Sequence, residues 1–365
     1  MLQSARMESQ DHFAQSRKRK VNFSYSLKLM AEQSYQADNP QFYIETCQLI
    51  LQLQHLLKID SSETWFDYGM FLFGKENFLE AKNALENAIK GFDTHGLSAH
   101  SSFLGQCHFQ VGVIDSHLGH FSKAVKCFQK ACKFKIMDGN TKMSSAICHH
   151  WQGYVYRRME DFNKALEAQK RALKEMEQNT TNNSSRRFLG DVYLELGCIH
   201  HEFGNIENAA SFLEKCLSIH EEQVGYFKPK LQLYIHLAQV LHEKSIKCSE
   251  SIDEWTQRTL SLLEKAVTLC LENSHNGHFH DKFPVVMFAH TDRIKKLEDI
   301  LPLALKLCSS LSSVFGEENE TAKKRLKKIQ KDFEYLLSTL VKAAHQDQHP
   351  NSLDDGSNRS VLVIK

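Results

Sequence analysis

Apolar residues recur along this chain at intervals of three and four. In "FLEAKNALENAI" the run Phe78, Ala81, Leu85, Ala88 and Ile89 steps by three, four, three and one, which is one face of an α-helix and no face of a strand. The same pattern returns in "FSKAVKCFQKAC" at Phe121–Cys132 and in "FNKALEAQKRAL" at Phe162–Leu173, with an aromatic and two alanines at fixed offsets and few shared polar residues. Upstream of these phrases stand Gly69, Gly112 and Gly153, each 12 residues before the first alanine (Ala81, Ala124, Ala165). A fourth copy follows, with Gly197 leading by 12 residues to Ala209 in "NIENAASFLEKCL" and Cys216 in place of the second alanine. Successive glycines lie 43, 41 and 44 residues apart, so the spacing is rigid inside a copy and loose between copies. Two helices packed antiparallel across a short turn fix such internal offsets, because close approach demands small residues facing each other, whereas a joining loop lengthens cheaply. Each copy is therefore expected to be a helical hairpin.

A fifth copy opens with Tyr234, Leu237, Ala238 and Leu241, but its second helix, "LSLLEKAVTL", comes late. Ala266 follows Ala238 by 28 residues rather than 19, so "KSIKCSESIDEW" reads as an insertion of nine. At the other end, "FYIETCQLILQLQHLL" suits the second helix of a degenerate leading copy that begins near Tyr25. Atypical terminal copies are what the caps of a stacked array require.

These residues resemble the tetratricopeptide repeat. The first copy matches that pattern with Trp65, Tyr68, Gly69, Phe78, Ala81 and Ala88, and the second with Val111, Gly112, Gly119, Phe121, Ala124, Phe128 and Ala131. The third supplies Gly153, Tyr156, Phe162, Ala165 and Ala172, and the fourth Tyr193, Leu196, Gly197, Gly204, Ala209 and Leu213. The resemblance covers about Ser61–Glu222. Its long period is similar to that of kinesin light chains and of the arrays that follow nucleotide-binding modules of signalling NTPases, and "VFGEENETAKKRLKKIQ" at Val314–Gln330 is similar to their linker. The long heptad coiled coil that precedes the repeats of a kinesin light chain has no counterpart before Ser61. The resemblance implies an all-α fold, a right-handed α-solenoid of antiparallel helical hairpins. The expected organisation is a polar, disordered tail over 1–22, degenerate capping helices over 23–60, an array of about five repeats over 61–273, a loop and capping helices over 274–341, and a disordered tail over 342–365.

Composition narrows the function. The 45 Lys and Arg nearly cancel the 44 Asp and Glu in 365 residues, so no global field steers the protein to nucleic acid or a membrane surface. No window nears the roughly 18 consecutive apolar residues of a membrane span, and the N-terminus lacks the apolar core of a signal peptide. Ten cysteines are dispersed and never form CxxC, which fits small buried hydrophobes in a reducing, cytoplasmic setting, so the sequons at Asn179, Asn183 and Asn319 are read as chance. No phosphate-binding glycine loop, HExxH or EF-hand sequence is present. No catalytic residue, cofactor, metal or small-molecule substrate is expected.

Three polar clusters remain. "HNGHFHD", with His275, His278, His280 and Asp281, reads as a solvated loop, with a zinc site as the alternative. "RKRK" at Arg17–Lys20 reads as a polar tail rather than a nuclear import signal or nucleic-acid contact, and "KKRLKK" at Lys323–Lys328 as the solvated side of a helix whose apolar side holds Ile329, Phe333, Leu336, Leu337 and Leu340. The adjacent His149 and His150, like His200 and His201, lie on repeat helices, where neighbours point to different faces.

The functional surface implied by the resemblance is the concave wall of first helices, which in this family holds extended peptides or partner helices. Residues sharing that side are Phe66, Met70 and Phe73 in the first copy and Phe109, Val113 and Ser116 in the second. The third gives His150, Tyr154, Arg157 and Arg158, the fourth Leu194, Cys198, His201 and Glu202, and the fifth Ile235, Gln239, His242 and Glu243. Phe66 and Met70 stand where the family's chaperone-binding members carry the Lys and Asn of a carboxylate clamp, so an apolar peptide with acidic residues after it fits better. Phe66, Phe109 and Tyr154 could equally pack between repeats. The expected function is a non-catalytic protein–protein adaptor, or, as the alternative, the sensing portion of a larger nucleotide-binding signalling protein.

Overall fold

The computed structural model describes residues 26, 29, 30, 33, 40–94, 101–134, 141–177, 183–221, 227–247, 252–275, 297–314 and 320–347. Among them regular structure is α-helical. A leading helix, α1 (Pro40–Leu57), is followed by paired helices: α2 (Ser62–Gly74) with α3 (Phe78–Thr94), α4 (Ser101–His117) with α5 (Phe121–Ala131), α6 (Thr141–Arg158) with α7 (Phe162–Glu177), α8 (Asn183–Glu202) with α9 (Ile206–Glu221), α10 (Phe227–Lys247) with α11 (Ile252–His275), and α12 (Leu297–Val314) with α13 (Glu320–Asp347). The fold is an all-α solenoid of antiparallel helical hairpins. α13 continues past the boundary expected at 341. Both expected tails, apart from the last residues of α13, as well as Arg17–Lys20 and residues 276–281 of the histidine cluster, lie outside the described residues.

The internal offsets have a sharper cause than small residues meeting. A Cβ at Gly69 would stand 2.8 Å from Leu85 Cγ, one at Gly112 2.8 Å from Phe128 Cε1, and one at Gly197 2.7 Å from Leu213 Cγ. Each glycine therefore receives the large side chain sixteen positions later, not an alanine. The alanines at 81, 88, 124, 131, 165, 172 and 209 are fully buried and flank that contact. In the fifth hairpin Ala238 takes the glycine's place and, once the insertion is counted, Leu263 that of the large residue; both are fully buried.

The turn inside a copy is also repeated atom for atom. Glu76, Gly119, Glu160 and Gly204 take left-handed backbone with φ of 60°, 74°, 61° and 70°. The next residue's N–H (Asn77, His120, Asp161, Asn205) donates to the carbonyl five positions back, on Leu72, Asp115, Tyr156 and His200, at 2.7–3.0 Å. This closes the first helix by a Schellman motif. Asp161 and Asn205 then start the second helix, their side-chain oxygens accepting from the N–H of Lys164 and Asn208 at 3.3 and 3.2 Å. The nine inserted residues of the fifth copy do not form a long loop: α10 runs four residues further than its counterparts and α11 starts four residues earlier, which leaves one extra residue for the turn.

The chain divides into two compact units, Met1–Val155 and Tyr156–Lys365. In the first, α3 packs on both α2 and α4, and α4 on α5. In the second, successive pairs from α7 to α11 pack in order and α13 packs on α11 and α12. Its core is aliphatic, running from Leu194 through Leu237, Leu263 and Leu307 to Phe333.

Candidate functional site: the first-helix wall

In the first unit, rings fill the spaces between neighbouring hairpins. Phe66 meets Phe103 edge-on at 5.2 Å, and Phe103 stacks on Phe92 at 5.2 Å. Phe73 lies against Phe78 and His117, and Phe109 against Phe128 and Trp151. Tyr154 packs edge-on against Trp151 at 5.7 Å. As a result Phe66, Phe73, Phe109, Val113, Ser116, His150 and Tyr154 are all buried, and Met70 alone of the wall residues expected in this unit is half-buried. The side of α4 expected to face a partner is closed, because a helix flanked by hairpins on both sides and filled in with aromatic rings buries residues all round. Phe66 and Phe109 thus serve packing between repeats, and with the buried His150 and Tyr154 they offer little surface for a peptide.

A buried carboxylate is held at the same level. Asp115 accepts from Lys82 Nζ at 2.6 Å and lies 3.2 Å from His120 Nδ1. Lys82 belongs to α3 and Asp115 to α4, so this pair ties the first copy to the second.

The second unit places the wall's charged residues differently. Arg157 Nε donates to Glu195 Oε2 at 2.9 Å, and Glu195 is only 4% exposed. Arg157 is therefore an anchor between α6 and α8 rather than a side chain held out for a partner. Arg158, the next residue, is exposed. His201 Nε2 lies 3.0 Å from Glu243 Oε2, linking α8 to α10, and Gln239 Nε2 donates to Glu243 Oε1 at 3.3 Å. Leu194 is buried in the aliphatic core. His242 is buried too, with Nε2 2.8 Å from Ser310 Oγ of α12. Burial pushes the His242 imidazole below its ordinary value, with Glu243 pulling weakly the other way. The wall residues left accessible are Met70 in the first unit and Arg157, Arg158, His201, Glu202, Gln239 and Glu243 in the second, of which Arg158 and Glu202 are exposed.

The second helices carry a further set of cross-repeat pairs that the sequence reading missed. Arg258 donates to Glu214 and Lys265 to Glu221, each at 2.7 Å, between α11 and α9. Arg325 of α13 holds Glu264 of α11 through two bonds of 2.8 Å and Gln257 through one of 2.6 Å. The guanidinium keeps the Glu264 carboxyl below its ordinary value. Lys323–Lys328 accordingly belongs to an amphipathic helix whose Ala322, Leu326, Ile329 and Phe333 are buried, while Lys324, Lys327 and Lys328 are exposed.

The thiols are chemically quiet. Burial pushes Cys107, Cys270 and Cys308 up to about 12 and Cys47 and Cys127 up to about 11, so none of these is a thiolate near neutral pH. Among the described residues no group of three His, Cys, Asp or Glu side chains is arranged to hold a metal, and no helix is long and apolar enough to cross a membrane.

Residues 146–177 and 190–222 match the tetratricopeptide repeat family, and residues 75–152 match the family of anaphase-promoting complex subunit 5. The chain is 24% identical over 160 residues to Protein KINESIN LIGHT CHAIN-RELATED 3 of Arabidopsis thaliana, an alignment that covers 44% of this chain and 24% of that protein. The chain thus spans about a quarter of the length of this curated relative. Among solved structures it is similar to the apo form of RapI, with a TM-score of 0.51 at 14% identity, over 84% of this chain and 99% of that one. It is similar also to the C-terminal part of a TPR repeat-containing protein from Cytophaga hutchinsonii, with a TM-score of 0.50 at 14% identity, over 88% of this chain and 98% of that one. The matched repeats, together with hairpins that keep one register from Gly69 to Leu263, show that the chain carries tetratricopeptide repeats and is similar in part to a kinesin light chain-related protein.

Proposed function

We propose that this protein is a non-catalytic adaptor of the cytoplasm that holds a protein partner, an extended peptide or a helix, against the accessible part of its first-helix wall. The tetratricopeptide repeats support a protein-interaction role, and the match to a family named for a subunit of a multiprotein complex agrees with work inside an assembly. The observation that carries the reading is the exposure of Arg158 at the end of α6, with His201 of α8 part-buried on the same wall. Arginine binds carboxylates through paired, directional hydrogen bonds, so acidic residues of the partner fall beside Arg158. Buried thiols that stay protonated suit a reducing compartment.

Affinity purification with Arg158→Glu tests this, because the substitution lies on exposed surface and leaves the Arg157–Glu195 pair in place. Binding of the co-purified partner is expected to weaken by about 2 kcal/mol, the size of an interface hot spot, with an unchanged melting temperature. If Arg158→Glu bound normally and Lys170→Glu on α7 abolished binding, the partner would sit on the second helices and the wall assignment would be wrong.

A further inference from the structure

The five second helices from α3 to α11 differ in how they handle charge. α3, α7, α9 and α11 each mix acidic and basic residues, and Arg258 and Lys265 of α11 are met by Glu214 and Glu221 of α9. α5 stands apart. From Phe121 to Phe134, α5 and the turn that follows it carry Lys123, Lys126, Lys130 and Lys133 and no acidic residue. All four lysines are exposed, and none makes an ion pair among the described residues. Spacings of three and four put Lys123, Lys126 and Lys130 on one face of the helix, and Lys133 follows in the turn that continues it, its N–H donating to the Lys130 carbonyl at 3.0 Å.

The molecule itself supplies the template for what such a face binds. Counted from each copy's glycine position, and allowing for the insertion in the fifth, Lys123 and Lys130 occupy the places of Arg258 and Lys265. There, two cations seven residues apart on one helix are met at 2.7 Å by two glutamates seven residues apart on its neighbour. The corresponding carboxylates of α3 are Glu86 and Asp93, but Glu86 lies 3.9 Å from Lys82 of its own helix and neither reaches a lysine of α5. Lys126, turned about 60° round the helix from Lys123 and away from that template side, forms a second pair of the same seven-residue spacing with Lys133 in the turn after Ala131.

We propose that the exposed face of α5 docks an acidic α-helix of a partner protein, with carboxylates seven residues apart seated on Lys126 and Lys133 and flanked by Lys123 and Lys130. A helix fits better than a nucleic acid. The other exposed side chains on this side of α5 are Ser122 and Gln129, so no aromatic ring is interleaved with the lysines to stack on a base. The near-zero net charge also supplies no long-range field for a polyanion. This surface is separate from the first-helix wall and does not depend on it.

The test uses a synthetic helical peptide with glutamates at i, i+3, i+7 and i+10, titrated into the full chain and followed by fluorescence anisotropy. Binding is expected, and the Lys126→Glu, Lys133→Glu double variant should weaken it about tenfold or more, as should raising the salt. Arg158→Glu should leave it unchanged, which keeps this surface distinct from the wall. The proposal is overturned if the peptide fails to bind, if a peptide of equal charge with shuffled glutamate spacing binds equally well, or if a single-stranded RNA of equal charge binds more tightly than the peptide. Melting curves of the double variant and of its Lys→Ala counterpart confirm that any loss comes from the surface and not from unfolding.

Discussion

From Phe66 to Trp151 one hairpin meets the next chiefly through rings: Phe66 on Phe103, Phe103 on Phe92, and Phe109 and Phe128 on Trp151. From Arg157 to Arg325 the same step is made over an aliphatic core by pairs of charges: Arg157 with Glu195, His201 with Glu243, Arg258 with Glu214, Lys265 with Glu221 and Arg325 with Glu264. Lys82 with Asp115 shows that the first unit makes a charged step as well, on a buried carboxylate like that of Glu195. One repeat register thus tolerates two ways of joining copies. Aromatic joints consume the first-helix surface, since a ring that fills the space between hairpins buries the residues around it. The charged joints made by Arg258, Lys265 and Arg325 leave polar side chains partly exposed. The difference explains why accessible wall residues concentrate in the second unit.

Removing a ring should have the largest effect. Trp151 is almost fully buried and touches Phe109, Phe128 and Tyr154, so Trp151→Ala is expected to cost about 3–5 kcal/mol and to lower the denaturation midpoint steeply. A small change in chemical denaturation would mean that the rings do not join the copies of the first unit. Next in size is Arg157→Glu, which would leave Glu195 buried opposite a like charge and cost about 3 kcal/mol. Unaltered stability there, with partner binding lost, would restore Arg157 to the binding surface.

Exposed pairs should matter far less. Arg258 and Lys265 are each between two-fifths and half exposed, so replacing both by alanine is expected to cost about 1 kcal/mol at low salt and less as salt rises. The smallest effects concern pH. Burial lowers the ordinary value of His108 in the first unit and of His242 in the second. Their neutral forms are favoured by folding, so this contribution is fully present above the unfolded value of about 6.5 and is lost as pH falls below it. Urea unfolding at pH 7.5 and 5.5 should show the loss, and His108→Gln should narrow the gap. Glu264, held down by Arg325, adds a loss confined to pH below about 4.3 in the second unit.

The hairpins were legible in the sequence because their offsets are enforced by hard contact. A side chain larger than glycine at 69, 112 or 197 would collide with Leu85, Phe128 or Leu213, and that constraint is written directly as a periodic small residue. The large residue sixteen positions on was not read as the glycine's partner, because leucine, phenylalanine and the buried Gln169 share size but no chemical class. The wall was less legible. Helical spacing identifies which residues share a side, but Phe66 and Phe109 are buried by rings brought from neighbouring helices, such as Phe103 and Trp151, that the spacing of one helix does not reveal. The charged joints could have been found only by comparing copies in register, since Arg258 and Glu214 lie 44 residues apart. The insertion was visible as nine surplus residues, but its division between α10 and α11 follows from both helices extending their hydrogen-bonded ladders rather than opening a loop.

Hydrogen exchange followed by mass spectrometry, in about 0.05 M and about 1 M salt, tests the contrast between the two kinds of joint most directly. Amides of α9, α11 and α13, whose helices are clasped by Arg258, Lys265 and Arg325, should lose protection at high salt. Amides of α3, α4 and α5, packed through Phe92, Phe103, Phe109 and Phe128, should keep theirs. An equal response of the two sets, or a larger loss in α3–α5, would contradict the account.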